Sequence, residues 1–85
     1  KEVGVPKFRL WFHVGHYERV GDLKSLALNE RVVVFNDGSP AFTEPRKVLA
    51  VSKALTEGDE HSYELAFEGF QTPFFVGPTD SIAVF

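Results

Sequence analysis

Apolar and polar positions alternate without a break from Lys7 to Val14. Phe8, Leu10, Phe12 and Val14 fall on one face, and Lys7, Arg9, Trp11 and His13 on the other. A period of two with this many rings predicts a half-buried strand, which Gly15 ends. Leu23, Leu26 and Ala27 then lie at helical spacing behind Asp22, a plausible N-cap, and predict one or two turns of helix over Asp22–Leu28. From Arg31 onward the pattern is all strand. Arg31–Phe35 is a β-branched run buried on both faces or nearly so, and Asn36-Asp37-Gly38 closes it with turn chemistry.

Ser39–Pro45 reads as a loop bounded by prolines. Arg46–Lys53 alternates again, with Val48 and Ala50 opposite Leu49 and Val51, and Thr56–Asp59 supplies an acidic turn. Ser62–Phe67 is the clearest amphipathic strand, with Tyr63, Leu65 and Phe67 on one face. Pro73 demotes Phe70–Val76 to an edge or bulged strand, because proline lacks a ladder donor. Gly77–Asp80 turns the chain into a last strand, Ser81–Phe85, with Ile82 and Val84 inward. Six short strands with close Gly/Pro/Asp turns predict an all-β domain: a small antiparallel barrel with an added N-terminal strand and one short helix. Closure would remove exposed edges. One domain over 1–85 is expected, with the N-terminal strand and helix in 1–30 and the barrel core in 31–85.

Composition narrows the function classes. The chain has 85 residues, 44% of them hydrophobic and 25% charged, which is globular and not disordered. It contains no cysteine, so disulfides, thiolate metal sites and cysteine nucleophiles are excluded. No apolar run approaches the ~20 residues of a membrane-spanning helix, and no signal-peptide pattern opens the chain. A cytoplasmic location without membrane partners is expected. The net charge of −3 is unevenly spread. All nine Lys/Arg lie in 1–53, whereas Glu57, Asp59, Glu60, Glu64, Glu68 and Asp80 of 54–85 face no cation in their own segment. The acidic end favours basic partners and disfavours phosphate backbones.

The stretch RVVVFNDG … RKVLAVSK … SYELAFEGF … TPFFVG … DSIAVF resembles SH3-like small barrels of the Tudor and KOW style over residues 31–85. That resemblance implies a non-enzymatic module that binds peptides, methylated side chains or nucleic acid on loop-borne aromatics. Pro73 interrupts the fourth strand, and no aromatic pair maps onto a methyl-ligand cage. KVLAVSK … YELAF … VGPTDSIAVF is also similar to the Hint fold of inteins and hedgehog-type autoprocessing domains. That likeness implies an inactive copy. Lys1 stands in place of Cys or Ser, Thr79-Asp80-Ser81-Ile82 lacks the final His, and Phe85 stands in place of Asn.

No catalytic constellation emerges. None of the serines lies in Gly-x-Ser-x-Gly or Ser-x-x-Lys, and no glycine-rich phosphate loop is present. The carboxylates Glu57, Asp59 and Glu60 sit in a turn, where burial would not raise their pKa values. A metal site would need His13, His16 or His61 to converge with Glu18 or Glu60. In an extended segment His13 and His16 point to opposite faces, so separate surface histidines are expected, with no metal and no cofactor. No enzymatic activity is expected.

Two surfaces remain as candidates for binding. Phe42, from the Pro40–Pro45 loop, and Phe70, after the Glu68-Gly69 turn, would approach one another and form with Asp37 and Glu68 an aromatic-acidic groove for cationic side chains. The favoured alternative has these rings plugging the barrel ends. Lys7, Arg9, Trp11 and His13 would offer a stacking face for single-stranded nucleic acid. Against it stands packing of Trp11 under the Asp22–Leu28 helix or in a second core layer, with the stems of Lys7 and Arg9 as cover. The expected function is a binding or assembly module for a protein partner, basic or offering an exposed strand, engaged by the aromatic/acidic surface or a free strand edge. The alternatives are the single-stranded nucleic-acid binder and a small structural or inhibitory protein of a virus or mobile element.

Overall fold

In the computed structural model, residues 8–17, 19–54 and 62–85 are described. Seven strands follow in the order β1 (Leu10–His13), β2 (Arg31–Asn36), β3 (Ser39–Pro40), β4 (Arg46–Lys53), β5 (Tyr63–Phe67), β6 (Phe74–Val76) and β7 (Asp80–Val84). Between β1 and β2 the chain makes a 3₁₀ turn, Val14–His16, and the helix α1, Val20–Ala27. Every strand pairing is antiparallel, and the sheet runs β1-β7-β2-β4-β5-β6 with β3 attached to β2. The protein is therefore mostly antiparallel sheet with one short helix. The sheet is not closed: among the described residues no pairing joins β1 to β6, and those two strands are its edges. No helix among the described residues is long and apolar enough to cross a membrane.

Burial follows the alternation that the sequence carries. Phe12 and Val14, Val32 and Val34, Ile82 and Val84 enter one interior with Tyr63, Leu65 and Phe67. β5 alternates as expected, its three odd-numbered residues buried and Glu64 and Ala66 half-buried. The β2–β3 connection has a local cause. Asp37 and Gly38 take φ of 51° and 83°, and Asn36 pairs with Ser39, which is a two-residue hairpin with both central residues left-handed. That geometry matches strand twist, and Asp-Gly favours it. The segment 39–45, expected as loop, thus begins with two paired residues.

Three further expectations are corrected. The helix starts earlier than Asp22: its N-cap is Arg19, which makes no side-chain capping bond. Asp22 instead lies in the first turn, where its charge suits the helix dipole, and pairs with Arg19 at 3.3 Å. In β4, strict alternation fails at Leu49. The register slips between Val48↔Phe67 and Ala50↔Ala66, so Leu49 is an extra residue, 51% exposed, and both Val48 and Val51 reach the core. β7 itself is held between β1 and β2. In the first strand only Phe12 and Val14 are buried. Phe8 and Leu10 stay exposed because β1 lies at the sheet edge and its start reaches the end of β7, with Leu10 opposite Val84.

The N-terminal elements are built into this sheet. β1 adds to β7, while α1 buries Leu23 and Ala27 in the same core as β4. Asn29, in the left-handed conformation beyond the helix end, donates its N–H to the Val48 carbonyl at 2.8 Å, and the Val48 N–H returns to the Glu30 carbonyl at 2.9 Å. The helix exit is thereby tied to the strand beneath it.

Candidate functional site

Two aromatic clusters stand out, one on each expected binding surface. The first lies on the outer face of β1-β7-β2. Trp11 is opposite Ala83, and Ala83 is opposite Val33, so these three residues form a row across the sheet on the side away from the core. Ala83 is the smallest side chain in that row. It leaves room for the indole to reach across β7 to Phe35, the ring centroids being 4.7 Å apart. Phe8 sits on the other side of Trp11 at 5.3 Å and meets Phe85 edge-on at 6.3 Å. Val33 and Ala83 are buried although they face away from the core, which is what a roof of rings over them produces. The roof itself is wet: Trp11 is 37% exposed and Phe8 46%. Trp11 is therefore not under α1, which packs on the opposite face.

The polar residues expected around Trp11 have their own partners. The Arg9 guanidinium donates to Glu30 Oε1 at 2.8 Å and to the Phe85 carbonyl at 3.3 Å. Nδ1 of His13 is 2.9 Å from the Ser81 hydroxyl, its direct cross-strand neighbour. Ser81 is buried, so this Ser–His contact offers no open nucleophile. Lys7 lies outside the described residues, as do Glu18, His61 and the acidic turn with Glu57, Asp59 and Glu60.

The second cluster lies where β5 runs into the Glu68-Gly69 turn. Phe42 and Phe70 do come together, at 5.4 Å, as the sequence suggests. They do so as part of a four-ring packing with Phe67 and Phe74, in which Phe42 is 5.3 Å from Phe67 and 5.6 Å from Phe74. All four rings belong to or pack against the core. The cation seat is filled from within, because the Arg46 guanidinium lies over the Phe70 ring at 5.1 Å. Gly69, at φ 89°, makes that approach possible: a Cβ there would come within 2.6 Å of Arg46 Nη1. Asp37 is in the β2–β3 hairpin turn and Glu68 is exposed on the β5–β6 connection. Neither acid makes a described contact with the ring cluster.

One arrangement goes against the sequence reading. The rings of His13 and His16, expected on opposite faces, are 5.6 Å apart. The chain leaves the extended state at Val14 and makes a 3₁₀ turn, in which positions three apart eclipse. The Val-Gly-His sequence carries no helix signal; the turn is imposed by tertiary packing. No group of three or more His, Asp or Glu able to hold a metal occurs among the described residues. Comparison with family models, with curated proteins and with solved structures finds no match.

Proposed function

We propose that this chain is a non-enzymatic binding or assembly module that recognises a protein partner through the outer face of β1-β7-β2 and the adjoining free edge of β1. The observation that carries this reading is the exposed Trp11, held in place by Phe8 and Phe35 on a sheet face that no other element among the described residues covers. Large rings fixed by neighbours contribute contact area at low entropic cost, and tryptophan is enriched among the residues that anchor protein interfaces. A free edge beside the rings adds main-chain donors and acceptors for strand addition. The Phe42–Phe70 region suits this role less, because its rings pack on the core and its cation seat holds Arg46.

The kinship with SH3-like barrels belongs to the same proposal. Within residues 31–85, β2, β4, β5 and β6 follow one another as a meander and β7 returns to pair with β2. A small barrel needs that connectivity, and here the sheet stays open between its edge strands β1 and β6.

A second reading, single-stranded nucleic acid on the same face, gains from the exposure of Trp11 and the nearness of Arg9 and Arg31. It loses from the Arg9–Glu30 pair and the net charge of −3. Affinity capture with the wild-type chain and with a Phe8→Ser/Trp11→Tyr double variant, read by mass, separates them. A protein retained by wild type and lost by the variant supports the first reading. Salt-sensitive quenching of Trp11 by single-stranded oligonucleotides supports the second. Retention of the same proteins by both chains overturns the assignment to this face.

A further inference from the structure

We propose that His13 and His16 form a two-imidazole site for a divalent transition metal, with copper(II) bound most tightly. Metal–nitrogen bonds of about 2.0–2.1 Å place two ligating rings with centroids about 4.5–5.5 Å apart for ligand angles of about 90–120°. The observed separation is 5.6 Å, close to the upper end of that span, and both side chains are exposed and so able to turn toward a shared ligand. Imidazole suits copper, nickel and zinc, and copper heads the affinity order for a given donor set. Water fills the remaining positions.

The pair is built in advance of any ligand. Val14 is fully buried and anchors the turn between the two histidines. The Tyr17 N–H closes that turn onto the Val14 carbonyl at 3.0 Å. Tyr17 is itself held, its carbonyl accepting from the Tyr63 hydroxyl and its ring lying edge-on to Phe12 at 5.2 Å. Gly15 lies so close under Pro78 that a Cβ would sit 2.7 Å from the Pro78 carbonyl oxygen, so the 3₁₀ turn and the Gly77–Asp80 turn are locked together. Ser81 completes the support. When His13 donates its Nδ1–H to the Ser81 hydroxyl, Nε2 keeps its lone pair for a metal, the usual outer-shell arrangement of a ligating histidine.

The chain carries its own reporter. Trp11 is the only tryptophan and lies two residues before His13 on the same strand face, about 6.6 Å along the strand. Copper(II) at the pair therefore quenches its emission. Copper(II) chloride titrated into the full chain in a non-chelating buffer should quench Trp11 to saturation at one equivalent. The midpoint should rise at least tenfold in His13→Ala and in His16→Ala, and stay within twofold of wild type in His61→Ala. Gly15→Ala, which leaves all three imidazoles in place, should raise the midpoint several-fold by displacing the turn. Circular dichroism and thermal melts of each variant establish that the fold is kept. As a second readout, zinc chloride should shift the ring resonances of His13 and His16 together. A midpoint unchanged by either single substitution, an equal loss in His61→Ala, or zinc shifts confined to one ring would overturn the site.

Discussion

The outer-face rings and the Phe42 cluster contain similar residues and serve opposite ends. In the Phe42 cluster, four phenylalanines from the β3–β4 loop, β5, the β5–β6 connection and β6 meet edge to face, and Phe67 is only 2% exposed. Above β7, Phe8, Trp11 and Phe35 also meet, yet they lie over a finished sheet and keep one side in water. Ring-to-ring contact does not separate the two. What separates them is the layer beneath: the first cluster has core below it and its own arginine above, the second has a paired sheet below and solvent above. A phenylalanine-rich sequence thus builds one cluster that holds the fold and one that is free to meet something else.

The sharpest break of this comparison is Phe67→Ala. The ring is buried, touches Phe42, Phe70 and Phe74, and leaves a cavity when removed. Its loss should cost about 3–5 kcal/mol in urea unfolding. Trp11→Ala should cost about 1–2 kcal/mol despite the larger ring, because water fills the vacated surface and no internal void remains. Equal costs at the two positions would erase the distinction drawn between the clusters.

Ala83→Leu acts on the outer face alone. The added atoms occupy the gap over which Trp11 reaches Phe35, so the indole must lift off. We expect about 1–3 kcal/mol of destabilisation and a red shift of Trp11 emission as the ring becomes wetter. An unshifted spectrum would mean that the roof tolerates bulk below it and is looser than the burial of Val33 and Ala83 implies.

Much of this was legible beforehand, and the exceptions have identifiable causes. Tyr63, Leu65, Phe67, Ile82 and Val84 enter the core as their period-two spacing requires, and Asp37-Gly38 makes the turn its chemistry favours. Those signals are local. Leu49 turned outward because a bulge is set by the register between β4 and β5, which no stretch of β4 encodes alone. His13 and His16 came together because Gly15 can lie against Pro78, more than sixty residues away. Trp11 and the Phe42–Phe70 pair were legible as candidates, whereas the packing of Phe8 and Phe35 on Trp11 was not, and exposure depends on which face of the sheet the helix covers. Alternation shows that two faces exist without saying which is capped. Tyr63 shows the same limit: its place in the core is periodic, while its hydroxyl's acceptor, the Tyr17 carbonyl, is a consequence of the turn. Tyr63→Phe should accordingly cost about 0.5–1.5 kcal/mol by leaving that carbonyl without its donor, measurable by denaturant titration.

The smallest expected effect tests whether the Phe42 cluster is closed. Arg46 over Phe70 fills the position that a basic partner's side chain would otherwise take, and Gly69 leaves the space for it. A double-mutant cycle with Arg46→Ala and Phe70→Leu isolates the cation–ring contact from the packing that each residue loses on its own. The coupling should be about 0.5–1 kcal/mol, since the guanidinium is at a partly exposed site. A coupling near zero would mean that the guanidinium does not hold the ring face, and the face would then be open to a cation from outside. In that event the two clusters would differ in degree of burial only, and the groove of Phe42, Phe70, Asp37 and Glu68 would compete with Trp11 for the partner. A coupling of the expected size keeps the internal cation in place and leaves the rings of the β1-β7-β2 face, rather than the Phe42 groove, free to meet a partner.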